Sequence, residues 1–137
     1  IETKERFVRL TYELLENEVW LQLTPSSIKV YIELRRWFNG SNNGQIHLSL
    51  LAGAKKLNMS KTAVKRALDQ LILHGLIRCA ERCYFTERQA SRVILTNERD
   101  RGHTPTKEYR NFRPRVLKSK ISEIGIKAVL RELKEDP

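Results

Sequence analysis

The sequence predicts a mainly α-helical protein carrying a small antiparallel sheet. Three observations lead there. Leu23-Thr24-Pro25, Ser49 and Ser60 are helix-start signals, each followed by apolar residues at helical spacing. Asn39-Gly40-Ser41-Asn42-Asn43-Gly44 is a concentrated turn cluster. After Gly75, two short runs flank the polar stretch Thr86-Glu87-Arg88-Gln89-Ala90 and read as a hairpin.

The elements follow in order. Phe7 to Leu10 alternates apolar and polar residues and is expected to form a short strand. Thr11 to Glu16 reads as a brief helix with Thr11 as its cap, and Trp20, Leu21 and Leu23 are expected to anchor this segment to the core. Thr24 caps the next helix, and Pro25 at its first position gives up no hydrogen bond. Ile28, Tyr31, Ile32, Leu34 and Arg35 carry that helix to about Trp37-Phe38. Gln45 to Leu48 is a short strand. Ser49 caps a helix running to about Leu57, Asn58-Met59 is a turn, and Ser60 caps a third helix running to about His74. Gly75 fits the left-handed position after a helix. A strand opening at Leu76-Ile77-Arg78 and extending toward Phe85 would pair with Ser91 to Thr96. Ser122 to Glu135 is a last helix, with Ile126, Val129, Leu130 and Leu133 as its apolar stripe and Gly125 weakening its first turn.

Across residues 25–96 the order is helix, strand, helix, helix, strand, strand. That is the order of a winged helix-turn-helix domain with 77–96 as the wing. The expected organisation is an N-terminal segment 1–24 on the core, a winged domain 25–97, a basic arm or linker 98–120, and a C-terminal helix within 121–137.

The chain has 137 residues, 40% hydrophobic and 31% charged, enough for one core. It contains neither a bilayer-length apolar run nor a signal-peptide pattern, so the expectation is a cytoplasmic protein without membrane partners. The formal net charge is +10, which favours polyanionic partners, nucleic acid above all. The charge is uneven. Residues 1–24 are net −2, whereas 25–59, 60–96 and 97–137 are each net +4.

The third helix carries the sharpest signal. At about 100° per residue, Lys61, Thr62, Lys65, Arg66 and Asp69 fall within a sector of roughly 140°. Val64, Leu68 and Leu71 face the other way. Ser60, Lys61 and Thr62 stand at the helix start, where a recognition helix meets base edges and free amides can hold a phosphate. Arg66 can bond a guanine bidentately, and Lys65 suits a phosphate. Asp69 can accept from cytosine or hold Arg66 or Lys65 in place. The bland alternative is a solvated face of a surface helix.

Arg78, Arg82, Arg88 and Arg92 line the hairpin, with Arg88 nearest the tip. They suit a minor-groove or backbone contact, or protection of strand edges. Lys107, Arg110, Arg113, Arg115, Lys118 and Lys120 give 105–120 six basic residues against one acidic, either an arm along DNA or a solvated linker. The last helix can pack on the N-terminal segment and Trp20, or serve as the seam of a homodimer on a palindromic site.

Other chemistries find little support. Cys79 and Cys83 lack the second ligand pair that zinc requires, since His47, His74 and His103 are isolated. They read as small hydrophobes on a strand and its turn, with no sign of an oxidising compartment. No phosphate loop, metalloprotease motif or nucleophile elbow occurs, so neither an enzyme nor a cofactor is expected.

Three stretches carry a resemblance. They are Leu23-Thr24-Pro25 with Tyr31 to Gly44, Met59-Ser60-Lys61-Thr62-Ala63-Val64-Lys65-Arg66-Ala67-Leu68, and Thr106-Lys107-Glu108-Tyr109. Together they resemble small winged helix-turn-helix proteins of bacterial prophages and other mobile elements, related to replication initiators and transcription regulators. The asparagine–glycine loop is the distinctive part, and the resemblance covers about residues 7–113. It implies a bacterial DNA-binding protein with 60–70 as recognition helix and 78–92 as wing. Gly53, inside the second helix, and the two cysteines depart from the pattern. The expected function is a sequence-specific duplex-DNA-binding transcription regulator. The alternatives are an initiator of plasmid or phage replication and a winged protein-docking module.

Overall fold

Helices start where a side chain can take up an unpaired backbone amide. The computed structural model describes residues 5–40, 42–80, 91–98, 104–111 and 114–135. Thr11 accepts from Leu14 N–H and opens α1 (Tyr12–Glu16), and Asn17 accepts from Val19 N–H and opens α2 (Glu18–Gln22). Thr24 accepts from Ser27 N–H at the head of α3 (Pro25–Trp37). Ser49 and Ser60 do the same for α4 (Leu50–Leu57) and α5 (Lys61–Leu73).

The stops are equally local. Asn58, left-handed at φ 53°, ends α4 and leaves a tight turn before Ser60. Gly75 at φ +77° ends α5. There Leu76 N–H donates to Leu71 C=O at 3.0 Å and Gly75 N–H to Ile72 C=O at 3.1 Å, the paired closure that a glycine after a helix permits.

The sheet has three strands, β1 (Ile46–Leu48), β2 (Ile77–Cys79) and β3 (Ser91–Leu95), in the order β1-β3-β2 and antiparallel throughout. Its register sets Ile46 against Val93 and Ile77 against Leu95. Strand alternation therefore sends Ile46, Leu48, Ile77, Cys79, Val93 and Leu95 to one buried face. Tyr31 and Leu34 of α3, with Val64, Leu68 and Leu71 of α5, complete the core. Each fully buried side chain of this size stabilises by roughly 1.5–3 kcal/mol. Leu14, Val19 and Leu23 add the N-terminal helices, and Trp20 meets Tyr31 edge-on at 5.7 Å.

Gly53 has a packing reason. A Cβ there would lie 3.1 Å from Val64 Cγ1 and 3.2 Å from Leu48 Cδ2, so the small residue lets α4 lie against α5 and β1. The asparagine–glycine loop is a structural clasp. Asn43 is buried; its Nδ2 donates to Leu95 C=O at 2.9 Å and its Oδ1 accepts from Leu95 N–H at 2.7 Å. Asn42 Nδ2 donates to Trp37 C=O at 2.9 Å, closing the end of α3.

Several expectations change. Residues 7–10 form no strand, and Leu21 points outward, 73% exposed. A second short helix, α2, occupies 18–22, with Val19 as its buried residue. Cys79 is fully buried and disulfide-bonded rather than a free small hydrophobe; the chain's other cysteine, Cys83, lies outside the described residues. Part of the segment expected as an arm or linker is packed into the core. Tyr109, in a 3-10 turn over Glu108–Asn111, is buried in the core, because its ring supplies apolar area that the polar residues around it do not. The C-terminal part is two helices, α6 (Pro114–Ile124) and α7 (Ile126–Glu135), broken at Gly125 with φ +87°. α7 packs on α6, α5 and β2.

The helix, strand, helix, helix, strand, strand order expected for 25–96 is present in the mainly helical architecture. The hairpin tip, including Arg82 and Arg88, lies outside the described residues. Among the described residues, no helix is long and apolar enough to cross a membrane.

Candidate nucleic-acid interface

α5 is fastened on its inner sides. Gln70 Oε1 accepts from Thr24 N–H at 3.1 Å, from Thr24 Oγ1 at 3.2 Å and from the Ser27 hydroxyl, tying α5 to the first turn of α3. Val64 sits over Gly53 of α4, and Lys29 of α3 donates to Leu57 C=O at the end of α4. The side left over is the one bearing the predicted residues. Ser60, Lys61, Thr62, Lys65 and Arg66 are all exposed there, within two turns of the helix start. Arg66 forms no ion pair among the described residues.

Asp69 is placed differently. Its side chain is only 14% exposed. Lys65 Nζ approaches Oδ2 at 3.2 Å from one turn earlier, and Lys134 Nζ of α7 approaches Oδ1 at 2.7 Å. Asp69 thus holds Lys65, one of the two residues it was expected to position. The carboxylate is occupied by cations on both oxygens.

Among the described residues, four other expected cations have partners outside α5. Arg92 on β3 stands opposite His47 and donates from Nη1 to Gln45 Oε1 at 3.4 Å. Arg78 Nε faces Glu108 at 3.6 Å. Lys107 and Arg110, expected on DNA, converge on Glu13 of α1: Lys107 Nζ is 3.3 Å from Oε2, and Arg110 bonds Oε1. The Arg110 guanidinium, helped by Lys107, holds the Glu13 carboxyl below the usual range. Sequence order separates these charges, but Tyr109 brings them together by burying between them. The one signal for Glu13 was the net −2 of residues 1–24 beside a basic remainder.

Lys134 and Gln70 were also missed. Nothing near Lys134 in sequence points to Asp69, and Gln70, between Asp69 and Leu71, reads as a polar surface position of α5. A further partly buried set links α3 to the residues after β3. Arg35 Nη1 donates to Asn97 Oδ1 at 3.1 Å and Nη2 to Glu98 Oε1 at 2.7 Å, while the Tyr31 hydroxyl donates to Asn97 Oδ1 at 3.3 Å. Burial pushes the Tyr31 phenol up to about 12.

A groove of about 540 Å³ opens between α3, β1 and α4, lined by Glu33, Trp37, Gln45, His47, Ser49 and Lys56 among others. Its one deeply buried charge, Glu33, is already engaged by Trp37 Nε1 at 3.0 Å and Arg36 Nη1 at 3.2 Å. His74 is half-buried, and its ring bonds Gln70 C=O at 2.9 Å; burial lowers its pKa. No group of three or more His, Cys, Asp or Glu residues able to share a metal ion occurs among the described residues. No protein-family model, curated protein or solved structure matches the chain.

Proposed function

We propose that this protein binds duplex DNA in a sequence-specific manner and acts as a transcription regulator, with the start of α5 in the major groove. The observation carrying this reading is the exposed cluster Lys61, Thr62, Lys65 and Arg66 on a helix whose other sides are fastened by α3 and α4. A rigid helix presenting donors from its first two turns suits base edges and phosphates together. The α4–turn–α5 unit is read as the helix-turn-helix, and β2 and β3 as the base of the wing. The net charge of +10 supplies the sequence-independent attraction. With Lys107 and Arg110 engaged by Glu13, the reading rests on α5 more heavily than on the 105–120 segment.

The test is binding of the purified chain to duplexes selected from a random pool, followed by fluorescence anisotropy. Arg66→Ala is expected to weaken the selected site by about 1–3 kcal/mol and relax preference at one position. Lys65→Ala is expected to weaken all duplexes alike and flatten the log-log salt slope by about one unit. Selection that enriches no sequence, or affinity indifferent to both changes, overturns the reading.

A further inference from the structure

The outward face of α5 is open at one end and covered at the other. With Lys61 at 0° and about 100° per residue, Thr62, Arg66, Asp69 and Leu73 all lie near the centre of that face, at roughly 80–140°. Thr62 and Arg66 are exposed. Leu73 is half-buried, and the Asp69 side chain is 14% exposed. The cover is α7, which packs against α5 and β2 and places Lys134 on Asp69 at 2.7 Å.

We propose that α7 is a self-inhibitory strap: it closes the second half of the α5 face, and full seating of α5 in a major groove requires α7 to lift away. This rests on the DNA-binding reading of α5. The groove is about 12 Å wide and about 8.5 Å deep, and a helix with its side chains is about 10–12 Å across. One helix fits; a second lying on the same face does not. α7 also touches β2, so it spans both elements assigned to DNA.

The strap is lightly fastened. Val129 is its one buried apolar residue among those described, and it stands outside the main core cluster. Ile126 and Leu133 of the same stripe are 47% and 39% exposed. α6 holds α7 through Lys120 and Glu132 at 2.8 Å, so a lifted α7 keeps a partner.

The experiment uses the full chain with Val129→Gln and the near-isosteric Val129→Thr, each checked for native circular dichroism. Neither adds or removes a charge, so altered DNA affinity cannot come from a change in net charge. Anisotropy with a labelled mixed-sequence duplex and with the selected site is expected to show at least fivefold tighter binding for Val129→Gln and a smaller gain for Val129→Thr. Amide exchange in 126–135 is expected to speed up in both variants, and in the unmodified chain when DNA is added. If the unmodified chain binds DNA through Arg66 but the Val129 variants bind equally or more weakly, the strap is overturned while the reading of α5 stands. If DNA leaves α7 exchange unchanged or slower, the strap is likewise overturned. If no form binds duplex DNA, the reading of α5 falls and the strap falls with it.

Discussion

Gly75 and Gly125 share a left-handed backbone, at φ +77° and +87°, in opposite surroundings. A Cβ on Gly75 would stand 2.7 Å from the backbone of both Glu108 and Tyr109; on Gly125 it would meet nothing within 4 Å among the described residues. The first glycine joins α5 to β2 at a point sealed by the 3-10 turn. The second joins two helices in open space. One conformation thus serves as a locked joint in the core and as an unobstructed one at the C-terminal pair, so mobility has to be read from the surroundings of a residue.

The largest effect expected from this contrast is at the locked joint. Gly75→Val combines left-handed strain with a collision against backbone, and is expected to destabilise the protein by more than about 4 kcal/mol in urea unfolding. Gly125→Ala carries the strain alone, about 1–2 kcal/mol, confined to the α6–α7 junction. Equal losses at the two sites would break the comparison.

The next largest concerns how firmly the core side is tied. Asn43→Ala leaves the buried N–H and C=O of Leu95 without side-chain partners, and is expected to cost about 3 kcal/mol by the same measurement. A loss under about 1 kcal/mol would mean that water replaces the carboxamide and the clasp is unimportant.

Two pH effects follow, one for each kind of tether. Tyr31 is buried, and its folded pKa of about 12 lies above the free value of about 10. Its contribution is fully present below about pH 10 and is lost as pH rises through about 12. Tyr31→Phe is expected to flatten the alkaline limb of a stability–pH curve, measured by chemical denaturation. Glu13 is shifted down by Arg110, so its contribution is present above the unfolded carboxyl pKa and lost as pH falls through the lower folded one. Glu13→Gln is expected to reduce the acid dependence by the smallest amount in this series, because the pair is exposed. An acid limb unchanged in that variant would remove Glu13 as a tether.

Much of the core side was legible in order. Thr24, Ser49 and Ser60 cap the helices expected of them, and Asn58 and Gly75 make the stops. These features are local, so spacing along the chain reveals them. What stayed hidden depends on neighbours distant in sequence. The polar residues around Tyr109 concealed one aromatic that belongs to the core. Gly125 read as a weak first turn because spacing alone does not show that its backbone turns left-handed and separates two helices. Helical periodicity placed Asp69 on the outward face of α5, but it could not say that Lys134 would cover it.

The clasp made by Asn43 also bears on the order in which the chain folds. Its carboxamide completes the backbone pairing of a residue 52 positions later, the last one of β3. The entropy of closing such a span is lost before the bond is gained. The loop after α3 and the end of β3 are therefore expected to form in one late step. That places their contacts on the native side of the rate-limiting barrier, where Asn43→Ala would speed unfolding and leave the refolding rate nearly unchanged.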